Sequence, residues 1–285
     1  MGAVAAAGAG CVRVIGSPGA GDGQFTAPGG GVAFDGEGNL VVCDGYNHRI
    51  QVFRYSDGTH LRSFGREGAG NGRFNCPISI AFDGAGHIIV SEYCNHRVHV
   101  LRYSDGAHVR TIGSEGSGYG QFDSPNGIAV DGEGNVAVFD CGNARVQVFR
   151  LSDGAHIRTI GSKGSGNGQF AVGFGYGYGG LAFDSEGNLV VADYGNHRVQ
   201  VLRYSDGAHV RTIGSAGAGV GQFRGPAGVA FDAAGHIVVV DRNNHRVQVL
   251  RYSDGAHICT IGSEGAGNGQ FNNPCHRQRR AHRRG

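Results

Sequence analysis

The feature that most constrains this chain is an internal repeat of about 48 residues. The string NHRVQVLRYSDGAHVRTIGS runs from Asn196 to Ser215, and close copies begin at Asn95 and Asn244. A repeat of this period is typical of stacked units, each too small to fold alone. A Gly-Gln-Phe or Gly-Arg-Phe marker gives five full units with a partial unit at each end, and it ends at Phe25, Phe74, Phe122, Phe170, Phe223 and Phe271.

Each unit has the pattern of four short β-strands. Apolar and polar residues alternate in RIQVFR, as in a half-buried strand, and the Asp-Gly of the following SDG is typical of a hairpin turn. No segment shows helical periodicity. Four antiparallel strands per unit predict an all-β fold, a β-propeller with five complete blades and a partial sixth. In the first unit the predicted strands are Gly31–Asp35, Leu40–Asp44, Arg49–Arg54 and His60–Phe64.

The two ends of the chain bear on a sixth blade. Val12–Ile15 matches fourth strands such as Val109–Ile112, so we expect a leading strand there. After Phe271 a new unit begins, but the basic string CHRQRRAHRRG stands where its first strand is expected. Either the coding sequence is truncated or frame-shifted at this point, or five blades close and the tail is disordered. We predict a flexible N-terminus (1–10), a propeller (11–274) and a basic, disordered tail (275–285).

Charge and cysteine content exclude several classes of protein. The formal net charge is +2, but five arginines and no acid lie in the last eleven residues, which leaves a body of −3. Such a body is a poor electrostatic match for nucleic acid. Seven cysteines occur without a C-x-x-C pair, which favours free thiols over zinc fingers. No apolar stretch has the length of a membrane span. We expect a cytoplasmic, monomeric protein without a membrane segment.

The units resemble NHL repeats, a family named after an Asn-His-Leu triplet at the start of the third strand. This chain has Asn47-His48-Arg49 before IQVF and Asn196-His197-Arg198 before VQVL, and an acid lies three residues before each Asn. The resemblance implies a propeller, commonly a protein-recognition or scaffold module. In tripartite-motif-like relatives the propeller follows a RING domain in a protein that resembles a ubiquitin ligase, and no RING cysteine pattern occurs here.

An acid, an Asn and an Arg recur together in all five units, which suggests a structural role. A residue needed in every blade holds blades together, whereas a site breaks the symmetry. Charge-assisted hydrogen bonds of this kind order a turn that has little apolar cover. We predict a structural network in each blade, formed by Asp44, Asn47, Arg49, Glu92, Asn95, Arg97, Asp140, Asn143, Arg145, Asp193, Asn196, Arg198, Asp241, Asn244 and Arg246.

Histidines recur as well, but neither a metal site nor a catalytic triad is expected. One set opens the third strands, away from the propeller axis, where ligands of one metal ion could not converge: His48, His96, His197 and His245, with Ala144 in the third unit. A second set begins the outer strands, where we expect solvated side chains: His60, His108, His156, His209 and His257. Ser104, Asp105 and His108 are neighbours along one hairpin, whereas a triad needs convergence in space. We therefore predict no catalytic, metal or cofactor-binding residue.

The positions that vary between units suggest a binding surface. In a propeller the second-to-third-strand turns and the blade connections emerge on one face, and exposed Tyr and Arg favour interaction there. One connection is extended as AVGFGYGYGG, although a neutral insertion would give the same pattern. The predicted partner-binding face comprises Tyr46, Tyr93, Tyr194, Arg242, Phe174, Tyr176 and Tyr178.

The leading hypothesis for function is a non-catalytic scaffold that binds a protein partner, as the recognition module of a larger ubiquitin-ligase-like protein. One alternative is an enzyme similar to the peptide-amidating lyase, whose central zinc is held by histidines. The resemblance places those ligands at Gly29, Gly30, Ile78, Asn126 and Ala227, and none is His. A second alternative is an RNA-binding propeller, which the charge of the body disfavours.

Overall fold

A computed structural model describes residues 13–26, 31–171 and 179–272. The predicted N-terminal segment 1–10 and tail 275–285 therefore lie outside the described residues. So do Phe174, Tyr176 and Tyr178 of the predicted face, and Gly29 and Gly30.

Five four-stranded antiparallel sheets follow one another along the chain, and each sheet keeps its strands in sequence order. The chain is an all-β, five-bladed propeller. Blade 1 comprises Val32–Phe34, Leu40–Asp44, Arg49–Phe53 and His60–Phe64. Blade 2 comprises Pro77–Phe82, His87–Glu92, Arg97–Arg102 and His108–Ile112. Blade 3 comprises Pro125–Val130, Asn135–Asp140, Arg145–Arg150 and His156–Ile160. Blade 4 comprises Leu181–Phe183, Leu189–Asp193, Arg198–Leu202 and His209–Ile213. Blade 5 comprises Pro226–Phe231, Ile237–Asp241, Arg246–Leu250 and His257–Ile261.

The strands form where the repeat predicts them. The predicted strands Leu40–Asp44 and His60–Phe64 are confirmed with the same bounds. Val32–Phe34 is shorter than predicted by one residue at each end, and Arg49–Phe53 ends one residue early. The helices among the described residues are single 3-10 turns, at Gly45–Asn47, Tyr194–Asn196 and Arg242–Asn244. None of them could span a membrane.

The apolar core lies between the blades. Because successive side chains of a strand point to opposite faces, each sheet presents one apolar face to the preceding blade and the other to the following one. Four clusters of buried side chains result in the described part of the chain, one at each interface from blade 1 to blade 5. At the first interface, for example, Val41 and Cys43 of blade 1 pack with Ile88 and Val90 of blade 2.

The Gly-rich connections between blades are ordered by a phenylalanine. Short parallel strand pairs lie in three of the connections between blades: Ser114–Glu115 with Gln121–Phe122, Ser162–Lys163 with Gln169–Phe170, and Ser215–Ala216 with Gln222–Phe223. A similar pair, Ser17–Pro18 with Gln24–Phe25, precedes blade 1. In the connections after blades 1 and 5 the pairing is a single parallel β-bridge, between Glu67 and Phe74 and between Glu264 and Phe271. The marker Phe122 is fully buried, and its ring lies where Gly113, at a φ of +85°, would carry a Cβ. Glycine is therefore required at that position.

The first and last blades each leave one apolar face without the cover that the internal blades have. Val32 of blade 1 is 59% exposed, whereas the matching Ile80 of blade 2 is 7% exposed. Ile261, in the fourth strand of blade 5, is 44% exposed, whereas the matching Ile112 is 2% exposed. The two ends of the array are thus not packed against each other as internal blades are.

The segment before blade 1 occupies the place of a fourth strand without forming one. Nη1 of Arg13 donates to the carbonyl of Tyr55 in blade 1 at 2.7 Å. Arg62, in the fourth strand of blade 1, donates in the same way from Nη2 to the carbonyl of Tyr103 in blade 2. The prediction of a strand at Val12–Ile15 is nevertheless wrong for the described part of that segment. No third strand of a sixth blade lies beside it among the described residues, so no β-ladder forms and a partial sixth blade is not shown.

The open faces lead to a prediction on stability. Replacing Ile112 with Ala should lower the free energy of unfolding by about 3 kcal/mol, since it removes buried methyl groups and leaves a cavity. The matched substitution Ile261→Ala should cost less than half as much, because the side chain is already half in water. Urea unfolding followed by circular dichroism measures both. Equal losses would mean that blade 5 is covered like the others.

Candidate functional site

A buried carboxylate lies at the end of the second strand of each blade. In blade 1, Oδ2 of Asp44 accepts hydrogen bonds from Asn47 Nδ2 at 2.9 Å, Arg49 Nε at 2.9 Å and Gln51 Nε2 at 3.0 Å. Oδ1 accepts from the backbone N–H of Thr26 at 3.2 Å. The Asp44 side chain is fully buried. A charge out of water requires such saturation with donors, and here it has an ion pair and three neutral donors.

The donors that surround Asp44 also bind the connection that enters the blade. Nη2 of Arg49 donates to the carbonyls of Gly21 at 2.6 Å and Gln24 at 3.0 Å. Gln51 donates to the Gln24 carbonyl and accepts from the backbone N–H of Gly23. One carboxylate therefore joins the second strand, the third strand and a Gly-rich connection that has little apolar cover.

The same geometry recurs in the other blades. In all five blades the predicted acid accepts hydrogen bonds from the predicted Asn and Arg, and these acids are Asp44, Glu92, Asp140, Asp193 and Asp241. Burial raises the pKa of Asp140, and hydrogen bonds from Arg145, the Asp123 amide and Asn143 oppose this rise. The sequence interpretation missed the glutamine of the set, which recurs as Gln51, Gln147, Gln200 and Gln248 and which repetition alone could have revealed.

Blade 2 changes two members of this network together. Glu92 replaces Asp, and His99 replaces Gln. Nδ1 of His99 lies 3.2 Å from Oε1 of Glu92, which also accepts from Arg97 Nε at 2.6 Å. Nε2 of His99 is buried without a hydrogen-bond partner.

The histidines that open the third strands connect consecutive blades. Nδ1 of His48 accepts a hydrogen bond from the backbone N–H of Cys76 in blade 2, at 3.2 Å. His96 and His197 accept in the same way from Ser124 at 3.1 Å and Gly225 at 3.0 Å. Their ring nitrogens therefore act between neighbouring blades and do not converge. Ala144 cannot accept such a bond, and the connection that follows its blade is the extended one.

The Ser, Asp and His of the hairpins do not converge. Oδ1 of Asp105 accepts from the backbone N–H of Ala107 at 3.0 Å, and Oδ2 accepts from Arg102 Nη1 at 3.1 Å. Nε2 of His108 instead lies 3.1 Å from the hydroxyl of Thr111. Of the five histidines that begin the outer strands, His257 is exposed, and His60, His108, His156 and His209 are half-buried. The expectation of solvated side chains thus holds fully for one of them.

The five first strands surround a central cavity of about 270 Å³. Ile78, Asn126 and Ala227, the positions at which the lyase resemblance expects ligands, line it. The carbonyl of Asn126 accepts from the hydroxyl of Ser91, which in turn accepts from the backbone N–H of Ser79. No group of three His, Cys, Asp or Glu side chains within the described ranges could hold a metal ion.

The predicted partner-binding face is built from turns whose side chains also contact one another. We define the turn face as the second-to-third-strand turns together with the connections that precede the first strands. Tyr46, Tyr93, Tyr194 and Arg242 lie on it and are half-buried. The hydroxyl of Tyr194 accepts from Asn243 Nδ2 at 3.1 Å and from Arg242 Nη1 at 3.3 Å. This cluster joins the turns of blades 4 and 5.

One pair of cysteines on the turn face was missed by the sequence interpretation. Cys76 precedes the first strand of blade 2, and Cys94 lies in the turn after its second strand. The backbone N–H of Tyr93 donates to the Cys76 carbonyl at 3.0 Å, and the N–H of Cys94 donates to the Asn75 carbonyl at 3.4 Å. The interaction of the two thiols raises the pKa of Cys76 and lowers the pKa of Cys94.

Sequence comparison identifies the repeat. The sequence profile of the NHL repeat matches residues 30–53, 74–101, 122–149, 179–202 and 223–250, one match in each blade. The chain is therefore a member of the NHL-repeat β-propeller family. None of the curated proteins compared with it matches significantly.

Solved structures with a similar fold have varied functions. A chain of a nidogen/laminin complex is 19% identical over 81% of this chain and 78% of its own length, with a TM-score of 0.62. Virginiamycin B lyase from Staphylococcus aureus is 13% identical over 86% of this chain and 76% of its own, with a TM-score of 0.55. A Bacteroides thetaiotaomicron protein of unknown function is 18% identical over 89% and 65%, with a TM-score of 0.67. At these identities the likeness concerns the fold alone.

The buried network leads to a second prediction. Asp193→Asn should lower the free energy of unfolding by about 3 kcal/mol, because it leaves the mostly buried Arg198 without its counter-charge. Asp206→Asn in the same blade is the matched control. That aspartate also pairs with an arginine, Arg203, but both side chains are at least half exposed, so little change is expected. Urea unfolding measures both variants, and equal losses would contradict a structural role for Asp193.

Proposed function

We propose that this chain is a non-catalytic recognition propeller that binds a protein partner through the turn face. The proposal rests on the location of the residues that differ from one blade to the next. Groups that repeat in every blade are buried and bind their own chain, as Asp44 and Arg49 do. Groups that differ between blades lie together on the turn face, where Tyr46, Tyr93, Tyr194 and Arg242 offer the residue types enriched in interaction hot spots.

The composition of the central cavity supports binding rather than catalysis. Enzymes place titratable side chains with perturbed pKa values in a cleft. The described residues that line this cavity are glycine, alanine, valine, isoleucine and leucine, with Ser79 and Asn126 as the polar exceptions. A chain of a nidogen/laminin complex shares the fold, and so does virginiamycin B lyase, so the fold by itself favours neither function.

The proposal has a finer form. The propeller would serve as the recognition module of a larger, cytoplasmic ubiquitin-ligase-like protein. In that case the ligase chemistry would belong to a RING domain on another part of the protein, and this chain would select the substrate. Ubiquitin transfer to the bound partner that requires the propeller in cis would support this form.

Affinity purification with matched tyrosine variants tests the binding face. Tyr93→Ala and Tyr194→Ala should each weaken binding of the partner by roughly tenfold or more, as hot-spot truncations do. Tyr55→Ala is the control, because Tyr55 is 55% exposed and lies in the third-to-fourth-strand turn of blade 1, outside the turn face. Quantitative mass spectrometry of the bound proteins, after nuclease treatment, gives the readout.

The outcomes separate the alternatives. Proteins lost with Tyr93→Ala and Tyr194→Ala but kept with Tyr55→Ala support the proposal, provided that the circular dichroism spectra and melting temperatures of all variants agree. A partner set unchanged by the two variants would contradict it. Binding that nuclease abolishes would favour the RNA alternative, and a stoichiometric metal in the purified chain would favour the enzyme.

A further inference from the structure

Two cysteines of blade 2 have the arrangement of a redox pair. Cys94 is exposed, whereas Cys76 is only 7% exposed. They belong to backbone segments that continue the pairing of Pro77 with Glu92, in which Cys76 lies opposite Tyr93 and Cys94 lies opposite Asn75, so the two cysteines are diagonal neighbours. The backbone of Cys76 is itself held in place, because its N–H donates to His48.

In blade 5 the side chain at the position of Cys94 reaches the residue at the position of Cys76. Gly225 and Asn243 stand there where blade 2 has Cys76 and Cys94. A Cβ placed on Gly225 would lie 2.7 Å from Nδ2 of Asn243. In blade 3 the matching residues are Ser124 and Gly142. Among these three blades, blade 2 alone has a sulfur at both positions, so the pair breaks the symmetry of the repeat.

The environment assigns different roles to the two sulfurs. The hydrogen bond that Cys94 accepts from the Cys76 thiol lowers the pKa of Cys94, although burial and the Glu92 carboxylate oppose this. The same hydrogen bond, burial and nearby acids raise the pKa of Cys76. Cys94 is thus the sulfur that ionises first and meets solvent, while Cys76 keeps its proton beside it. Reactive cysteines with a resolving partner have this division of labour.

We propose that Cys76 and Cys94 form a reversible dithiol–disulfide pair, with Cys94 as the attacking thiolate and Cys76 as the resolving thiol, that responds to a peroxide. Cys94 attacks one oxygen of hydrogen peroxide, the O–O bond breaks, and a sulfenic acid and one water form. Cys76 then attacks the Cys94 sulfur and displaces its hydroxyl group, which leaves as a second water with the proton of Cys76. Two thiols and one peroxide give one disulfide and two waters, and the two electrons pass from sulfur to oxygen.

This inference goes beyond the proposed function and does not depend on it. The disulfide would link the connection before blade 2 to its second-to-third-strand turn, next to Tyr93 on the turn face. A thiol reductant would reverse it by exchange, with two reductant thiols becoming one disulfide.

The positions of the arginines allow a direct test on the full chain. Trypsin cleaves after Arg73 and Arg97 and releases Phe74–Arg97, a peptide that contains both cysteines and no internal cleavage site. The chain is treated with hydrogen peroxide, blocked with N-ethylmaleimide, digested and analysed by mass spectrometry. We expect the peptide to lose both maleimide adducts, to become lighter by two hydrogen atoms, and to regain both adducts after treatment with dithiothreitol.

Single variants assign the roles. Cys76→Ser should stop the reaction at a Cys94 sulfenic acid, which dimedone traps, whereas Cys94→Ser should leave Cys76 fully alkylated. Cys141→Ser is the control, because Cys141 is buried in blade 3 and its loss should not change the result. Alkylation of Cys94 by iodoacetamide should also begin at lower pH in the wild-type chain than in Cys76→Ala.

Two outcomes would overturn the proposal. In the first, the wild-type peptide keeps both maleimide adducts at peroxide concentrations that oxidise Cys94 in Cys76→Ser. In the second, Cys94 of the wild-type chain proceeds to the sulfinic acid without forming the disulfide. Either result would mean that the two sulfurs do not react with each other.

Discussion

The structure depends on a buried carboxylate that is repeated five times. The Gly-rich connections have few apolar side chains, so hydrophobic burial cannot order them without help. Asp44 and its counterparts supply that order by bringing an arginine and an asparagine, and in four blades a glutamine, to backbone groups of the connection. Removing a carboxylate would leave a mostly buried arginine unpaired, which explains why the set is retained in every blade.

The interfaces between blades then convert local order into a propeller. Each sheet is too small to bury its own faces, and stacking buries them against a neighbour. His48, His96 and His197 add one hydrogen bond across each of three interfaces, to a backbone N–H that would otherwise be unsatisfied. The exposed Val32 and Ile261 show the converse, because an apolar face without a neighbouring blade stays in water.

Much of the fold could be predicted because the repeat tests every interpretation several times. The four strands, the antiparallel order and the acid–Asn–Arg contacts follow from local patterns that the repeat confirms. Apart from the glutamine, which repetition could have revealed, the missed features depend on contacts between distant residues. His48 binds a backbone amide 28 residues later, and no side-chain pattern marks such a partner.

The candidate site was less predictable for the same reason. Tyr194 was expected to be exposed, but it is half-buried because it contacts Asn243, which lies 49 residues away. The pair formed by Cys76 and Cys94 required the strand register, since sequence spacing alone did not suggest a contact. Residues that act within one blade could be recognised from the sequence, whereas those that act across blades or across a ladder could not.

Hydrogen exchange at individual backbone amides tests the central claim most directly. The amides of Thr26, Asn75, Asp123, Ala171 and Arg224 lie in connections, and each donates to a buried carboxylate. The amides of Ala107, Ala155, Ala208 and Ala256 also donate to aspartates, but to exposed ones. If the buried carboxylates hold the propeller together, the first set should exchange as slowly as the central strands and the second set much faster. Equal, fast exchange in both sets would contradict this account.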